Sequence, residues 1–229
     1  MTTRPQLADL WHDAAQITRR HIFGPSDSLR PVYPDENRVL LDQIDVPAVG
    51  MVGPSYRSDL AILSVNGAGG KIDHRSLPSS DTMYEAVRRL RDAASGASAL
   101  EAFEVLNQAV MASMPDWGVT RQHIGKILEA ADKSLEEISY LYLVPFRTRG
   151  DAGSRIPDAF LDAGYRHHLV RQLRCVAPAL IIAIDRPSER AALRYREEAP
   201  TTEVIYCTRK HDAHAERART LAAISSRPR

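Results

Sequence analysis

The sequence predicts an α/β protein: a three-layer α/β/α domain around a central four-stranded parallel sheet. Four short apolar runs, at 60–65, 138–144, 179–184 and 204–207, are each bounded by turn residues, as strands buried on both faces are. Segments with helical spacing separate them, so strand and helix alternate and right-handed crossovers follow. No linker divides the 229 residues, which suffice for one substantial core.

In chain order, residues 7–22 read as one helix, with Leu7, Leu10, Trp11, Ala14, Ala15, Ile17 and Thr18 near helical spacing. Pro25, Pro31 and Pro34 then break the chain into an arm draped over the domain. The organisation expected is a helix and arm, residues 1–47, packed on a domain of residues 48–229. Residues 48–52 read as a short strand or an extended lead-in. A helix over 80–94 has Ser80, Asp81 or Thr82 as its cap and Met83, Ala86, Val87 and Leu90 as its inner stripe. Two further helices cover 100–111 and 121–131, ahead of the strand at 138–144. Beyond it, helices at 165–176, 187–198 and 212–224 alternate with the last two strands.

Composition narrows the function. A hydrophobic fraction of 44% with 26% charged residues is ordinary for a soluble protein. The sequence has no apolar run of the roughly 20 residues that cross a bilayer and no apolar signal core near Met1, so a cytoplasmic address and no membrane partner are expected. Two cysteines, Cys175 and Cys207, exclude a four-cysteine cluster supplied by this chain and read as small buried hydrophobes. The net charge of +1 announces no polyanion partner, so local placement of charge must carry that argument.

The run at 60–65 breaks into Asn66-Gly67-Ala68-Gly69-Gly70-Lys71. Asn66 stands at the carboxyl end of its strand, where open α/β sheets bind ligands. The glycines let backbone approach a ligand, or mark only a tight strand-to-helix turn. Two common phosphate loops fail on spacing. A Walker A loop needs glycine where Val65 stands and Ser or Thr where Ile72 stands; the dinucleotide fingerprint needs glycine at Ile72.

Parallel strands bring four outgoing loops to one edge. Each carries cations: Lys71 and Arg75, Arg147 and Arg149, Arg186 and Arg190, Arg209 and Lys210. Basic residues gathered on one edge suit a polyanion; the alternative is solvated arginines. Phe146 offers a ring for stacking on a base, with a core role as the alternative. Asp73 and Asp81 are candidate carboxylates near the first loop, or turn and helix-cap residues. His211 and His214 follow Cys207, but no second cluster completes a ligand set, and no metal is expected. His167 and His168 read as solvated or interface histidines.

In this order the loops resemble those of the uracil-DNA glycosylase superfamily. Ser64-Val65-Asn66-Gly67-Ala68 is similar to the first motif of the mismatch-specific and single-strand-selective branches, and His211 matches the final motif. The resemblance covers roughly 49–224. It implies a DNA glycosylase without cofactor, with Asn66 holding the hydrolytic water and His211 stabilising the departing base. Gly67, Ala68, Gly69, Gly70, Asp73, Tyr142 and Phe146 would contact the flipped nucleotide. Lys71, Arg75, Arg147, Arg149, Arg186, Arg209 and Lys210 would grip DNA. Two departures stand out. Gly67 replaces a usual proline, and Tyr142 stands where such enzymes offer an Asn amide to the uracil edge. A phenol cannot reproduce that donor–acceptor pair, so a modified pyrimidine is favoured over plain uracil. The other readings are a catalytically silent nucleic-acid-binding relative and a different nucleotide-using α/β enzyme.

Overall fold

The structure, a computed structural model, describes residues 2–24, 46–66, 78–146, 156–209 and 213–227. Its single sheet contains β1 (Met51–Val52), β2 (Leu60–Asn66), β3 (Ile138–Val144), β4 (Leu180–Ala183) and β5 (Glu203–Tyr206). Their order is β1-β3-β2-β4-β5. The four strands read from sequence are all present, each end within one residue of expectation, and they pair in parallel. β3 and β4 are buried along their whole length, as continuous apolar runs require.

The sheet is nevertheless five-stranded and mixed rather than four-stranded and parallel. β1 adds to the free edge of β3 in antiparallel sense, Met51 opposite Tyr140 and Val52 opposite Ser139. Its own outer edge is closed by side chains. The Val52 N–H donates to Asn107 Oδ1 at 2.8 Å, and Arg4 Nη1 donates to the carbonyls of Val52 and Gly53 at 3.2 and 3.1 Å. Trp11 Nε1 donates to the Gly50 carbonyl at 3.3 Å and Gln172 Nε2 to that of Val49 at 2.7 Å. Backbone groups that would template another strand are thereby satisfied within the fold. Gly50 enters β1 at φ +74°, and a Cβ there would collide with the Tyr140 carbonyl. Only glycine fits both the conformation and the space.

The helix expected over 7–22 is two helices, α1 (Arg4–Ala15) and α2 (Arg19–Phe23). Thr18 is extended and its N–H donates to His21 Nδ1 at 3.0 Å, so the β-branched residue starts a new helix instead of continuing the old one. α1 buries Leu7, Ala8, Trp11, Ala14 and Ala15 in the same cluster as the sheet. Residues 25–45 of the expected arm lie outside the described residues.

α3 (Pro78–Asp92) and α4 (Ala97–Ser113) pack on each other and on α1. A π turn at Thr120–Ile124 leads into α5 (Gly125–Ala131). The helix expected at 165–176 begins earlier, as α6 (Asp158–Gly164), and passes through a second π turn, Tyr165–Leu169, into α7 (Val170–Val176). Gly164 lets α6 lie against β3, since a Cβ would meet the Leu143 carbonyl. α8 (Arg186–Glu198) packs on β2, β4 and β5, and α9 (His214–Ser225) packs on α5. Among the described residues, no helix is long and apolar enough to cross a membrane.

Candidate functional site

The chain leaves β2 to form β3 on one side, then crosses over to form β4 on the other. That reversal makes the carboxyl ends of β2 and β4 a topological switch point, the place where open α/β sheets hold ligands. Asn66 is the last residue of β2 and stands in register with Val144.

β4 stops pairing with β2 at Ala183, opposite Leu63, and the Ile184 N–H makes the last ladder bond to the Leu63 carbonyl. A side chain continues from there. Asp185 Oδ2 accepts the Val65 N–H at 2.9 Å. Its Oδ1 accepts the Ser188 N–H at 2.9 Å and the Ser188 hydroxyl at 2.6 Å, which caps α8. Arg209, on the loop leaving β5, donates to the same Oδ2 at 3.5 Å. Behind it, Arg217 of α9 is buried and donates to the Thr208 carbonyl at 3.1 Å, tying that loop to the last helix.

One pleat inside this edge lies a hydroxyl cluster. Ile62 and Ser64 of β2 are in register with Tyr140 and Tyr142 of β3, so all four share one face of the sheet. The Tyr142 ring meets Tyr140 edge-on, with centroids 5.1 Å apart at 84°. Burial pushes the Tyr140 phenol up to about 12, although Ser64, the Arg209 charge and Tyr142 pull the other way. Tyr140 therefore stays protonated. Cys207, directly after β5, is buried, and burial raises its thiol, which makes it a hydrophobe and not a thiolate.

The sequence-derived site residues fall into two groups. Gly67, Ala68, Gly69, Gly70, Lys71, Asp73 and Arg75, then Arg147 and Arg149, then Lys210 and His211, lie outside the described residues. Asn66, Tyr142, Phe146, Arg186 and Arg209 lie within them. Phe146 takes its core role: it is fully buried, 6.0 Å from Phe23, which in turn meets Phe160 edge-on at 5.1 Å. Arg186 lies over the Tyr206 ring at 4.0 Å and pairs with Glu189 at 2.6 Å. Arg190 reaches Asp158 at 3.3 Å. His167 is exposed as expected, but His168 is a correction: it is buried, on the inner side of the second π turn. No group of His, Cys, Asp and Glu able to hold a metal occurs among the described residues.

Sequence reasoning missed Asp185 and Arg217. The spacing Asp185-x-x-Ser188 after an apolar run does announce a helix cap. Its second contact joins residues 120 apart in sequence, which no local pattern signals. A cleft of about 230 Å³ opens on the opposite face between α6 and α8, over Leu143 and Tyr165, and the pairs Arg190–Asp158 and Arg194–Asp162 bridge it.

No protein-family model matches the chain, and no curated protein matches it.

Proposed function

We propose that this chain is a monofunctional DNA glycosylase. It would hydrolyse the N-glycosidic bond of a flipped-out modified pyrimidine and leave an abasic site, in DNA repair or in defence against modified phage DNA. The fold reading that accompanies it is a three-layer α/β/α core of uracil-DNA glycosylase type, its four parallel strands extended by β1. A cytoplasmic setting belongs to the same proposal.

The observation that carries the reading is the convergence at the switch point. Asn66 ends β2, and Arg209, two residues before His211, is anchored on the carboxylate that also holds the backbone just ahead of Asn66. The two residues assigned chemistry thus follow the carboxyl ends of β2 and β5, which flank β4 on the same sheet.

In the mechanism, extrusion of the nucleotide costs a few kcal/mol of stacking and pairing before chemistry begins. Cleavage passes through an oxocarbenium-like sugar. Asn66 is neutral and a poor base, so it acts by orienting water against that cation. His211 stabilises the negative charge arriving on the departing base. The buried Tyr142–Tyr140 pair supplies phenol edges where a base-reading carboxamide is usual, which favours a modified pyrimidine over uracil. No cofactor is needed.

A glycosylase panel tests this. Labelled oligonucleotides carrying uracil, thymine mismatches, hypoxanthine, hydroxymethylcytosine or its glucosylated form are incubated with protein, and abasic sites are revealed by alkali. The expected result is product from one modified pyrimidine, abolished by Asn66→Ala. Salt-sensitive DNA binding with no product from any base would assign the chain to the silent binding relatives. Turnover of free nucleotides without DNA binding would assign a different α/β enzyme.

A further inference from the structure

We infer that Asp185 is the positioning residue of this edge: one carboxylate sets the spacing between the end of β2, which carries Asn66, and the loop leaving β5, which carries His211. Its chemical consequence rests on the glycosylase reading; its coupling of the two strand ends rests on geometry alone.

Beyond Ala183 the backbone of β4 turns away, and the Val65 N–H has no carbonyl from that strand. Val65 is buried, and a buried donor left unpaired is costly. Asp185 Oδ2 fills that position at 2.9 Å and also receives Arg209. The carboxylate cannot swivel, because Oδ1 is held by both the N–H and the hydroxyl of the buried Ser188. The Asp185 side chain is only 11% exposed, so water competes weakly for these contacts. A helix cap needs only Oδ1. Oδ2 is surplus to capping, and both of its partners sit within two residues of a residue assigned to the chemistry. Reaction geometry is sensitive to displacements on the order of 1 Å, so a link of this kind controls turnover without touching substrate.

Two full-length variants separate bridging from capping. Asp185→Asn keeps the cap on its Oδ1 but presents an amide NH2 to Val65, which cannot accept a hydrogen bond. Asp185→Ser keeps a good cap and is too short to reach β2. Both are expected to lower kcat on the base found by the panel by about 10–100-fold, with KM for DNA held within about 3-fold. Both should also speed exchange of the Val65 amide by about 10-fold or more and shift the Arg209 guanidinium resonance. Wild-type kcat and wild-type Val65 exchange in Asp185→Ser would overturn the inference and leave Asp185 a helix cap. A rise in KM with kcat unchanged would overturn it too, by assigning the carboxylate to DNA binding. Should the wild-type protein excise no base, the glycosylase reading fails on its own. The Val65 exchange and the Arg209 resonance then decide the coupling without activity.

Discussion

At the scale of single residues, His168 ties stability to pH although it is buried. Neither ring nitrogen has a hydrogen-bond partner. Burial lowers its pKa to about 3, and the Arg171 charge pushes in the same direction. The sign follows from linkage. Above the unfolded value of about 6.5 neither state binds the proton, and the imidazole has no effect on the slope. Between about 6.5 and about 3 the unfolded chain takes up the proton and the folded chain refuses it. Stability therefore falls with acidification by up to about 1.4 kcal/mol per pH unit. His168→Leu is expected to remove close to one proton from that acid limb. At pH 7 it should hold or raise stability by about 1 kcal/mol, because no buried polar atom is left unpaired at the site. Urea titrations at pH 7, 5 and 4 would check both. The contrast between His167 and His168 was only half legible in the sequence: adjacent helical residues face different ways, but which one turns inward depends on how the π turn is set against β3.

At the scale of elements, legibility followed burial. β2, β3 and β4 are apolar runs wrapped on both faces, and their pattern is set by local composition, whereas β5 is a partly exposed edge strand read from its apolar residues alone. β1 is different, because two residues become a strand only through a partner and through side chains reaching in from elsewhere. The same holds at α1 and α2, where helical periodicity continues across a break that Thr18 imposes. β1 has a testable weak point. Gly50→Ala places a side chain at φ +74° against the Tyr140 carbonyl. The backbone term alone should cost about 1–3 kcal/mol, read as a lower urea midpoint. Since Tyr140 lies beneath the switch point, its near-ultraviolet circular dichroism should change with it.

At the scale of the whole molecule, the sequence marked an edge of the sheet and not a chemistry. Strand ends at 66, 144, 184 and 207 could be read from sequence, and with them the edge that gathers the loops. The carboxylate that organises the edge could not, because its contacts span 120 and 24 residues of chain. On the glycosylase reading the edge meets phosphate. Arg186, in the first turn of α8 and 62% exposed at its side chain, is a described cation open to it. Arg186→Ala is expected to reduce the salt slope of DNA binding by about one, uniformly across sequences, while its exposed pair with Glu189 contributes little to folding. Binding isotherms from about 50 to 200 mM salt would measure that slope.

The closure of β1 also dictates an order of events. Its outward groups are met by Arg4 and Trp11 from the start of the chain, by Asn107 from the middle, and by Gln172 from α7. On the ribosome the segment around Gly50 emerges long before Gln172 exists, so the nascent chain carries an open pairing edge through most of its synthesis. That edge is finished late, by contacts of high sequence separation. A chain stalled or cleaved before residue 172 is therefore the form of this protein expected to associate with itself.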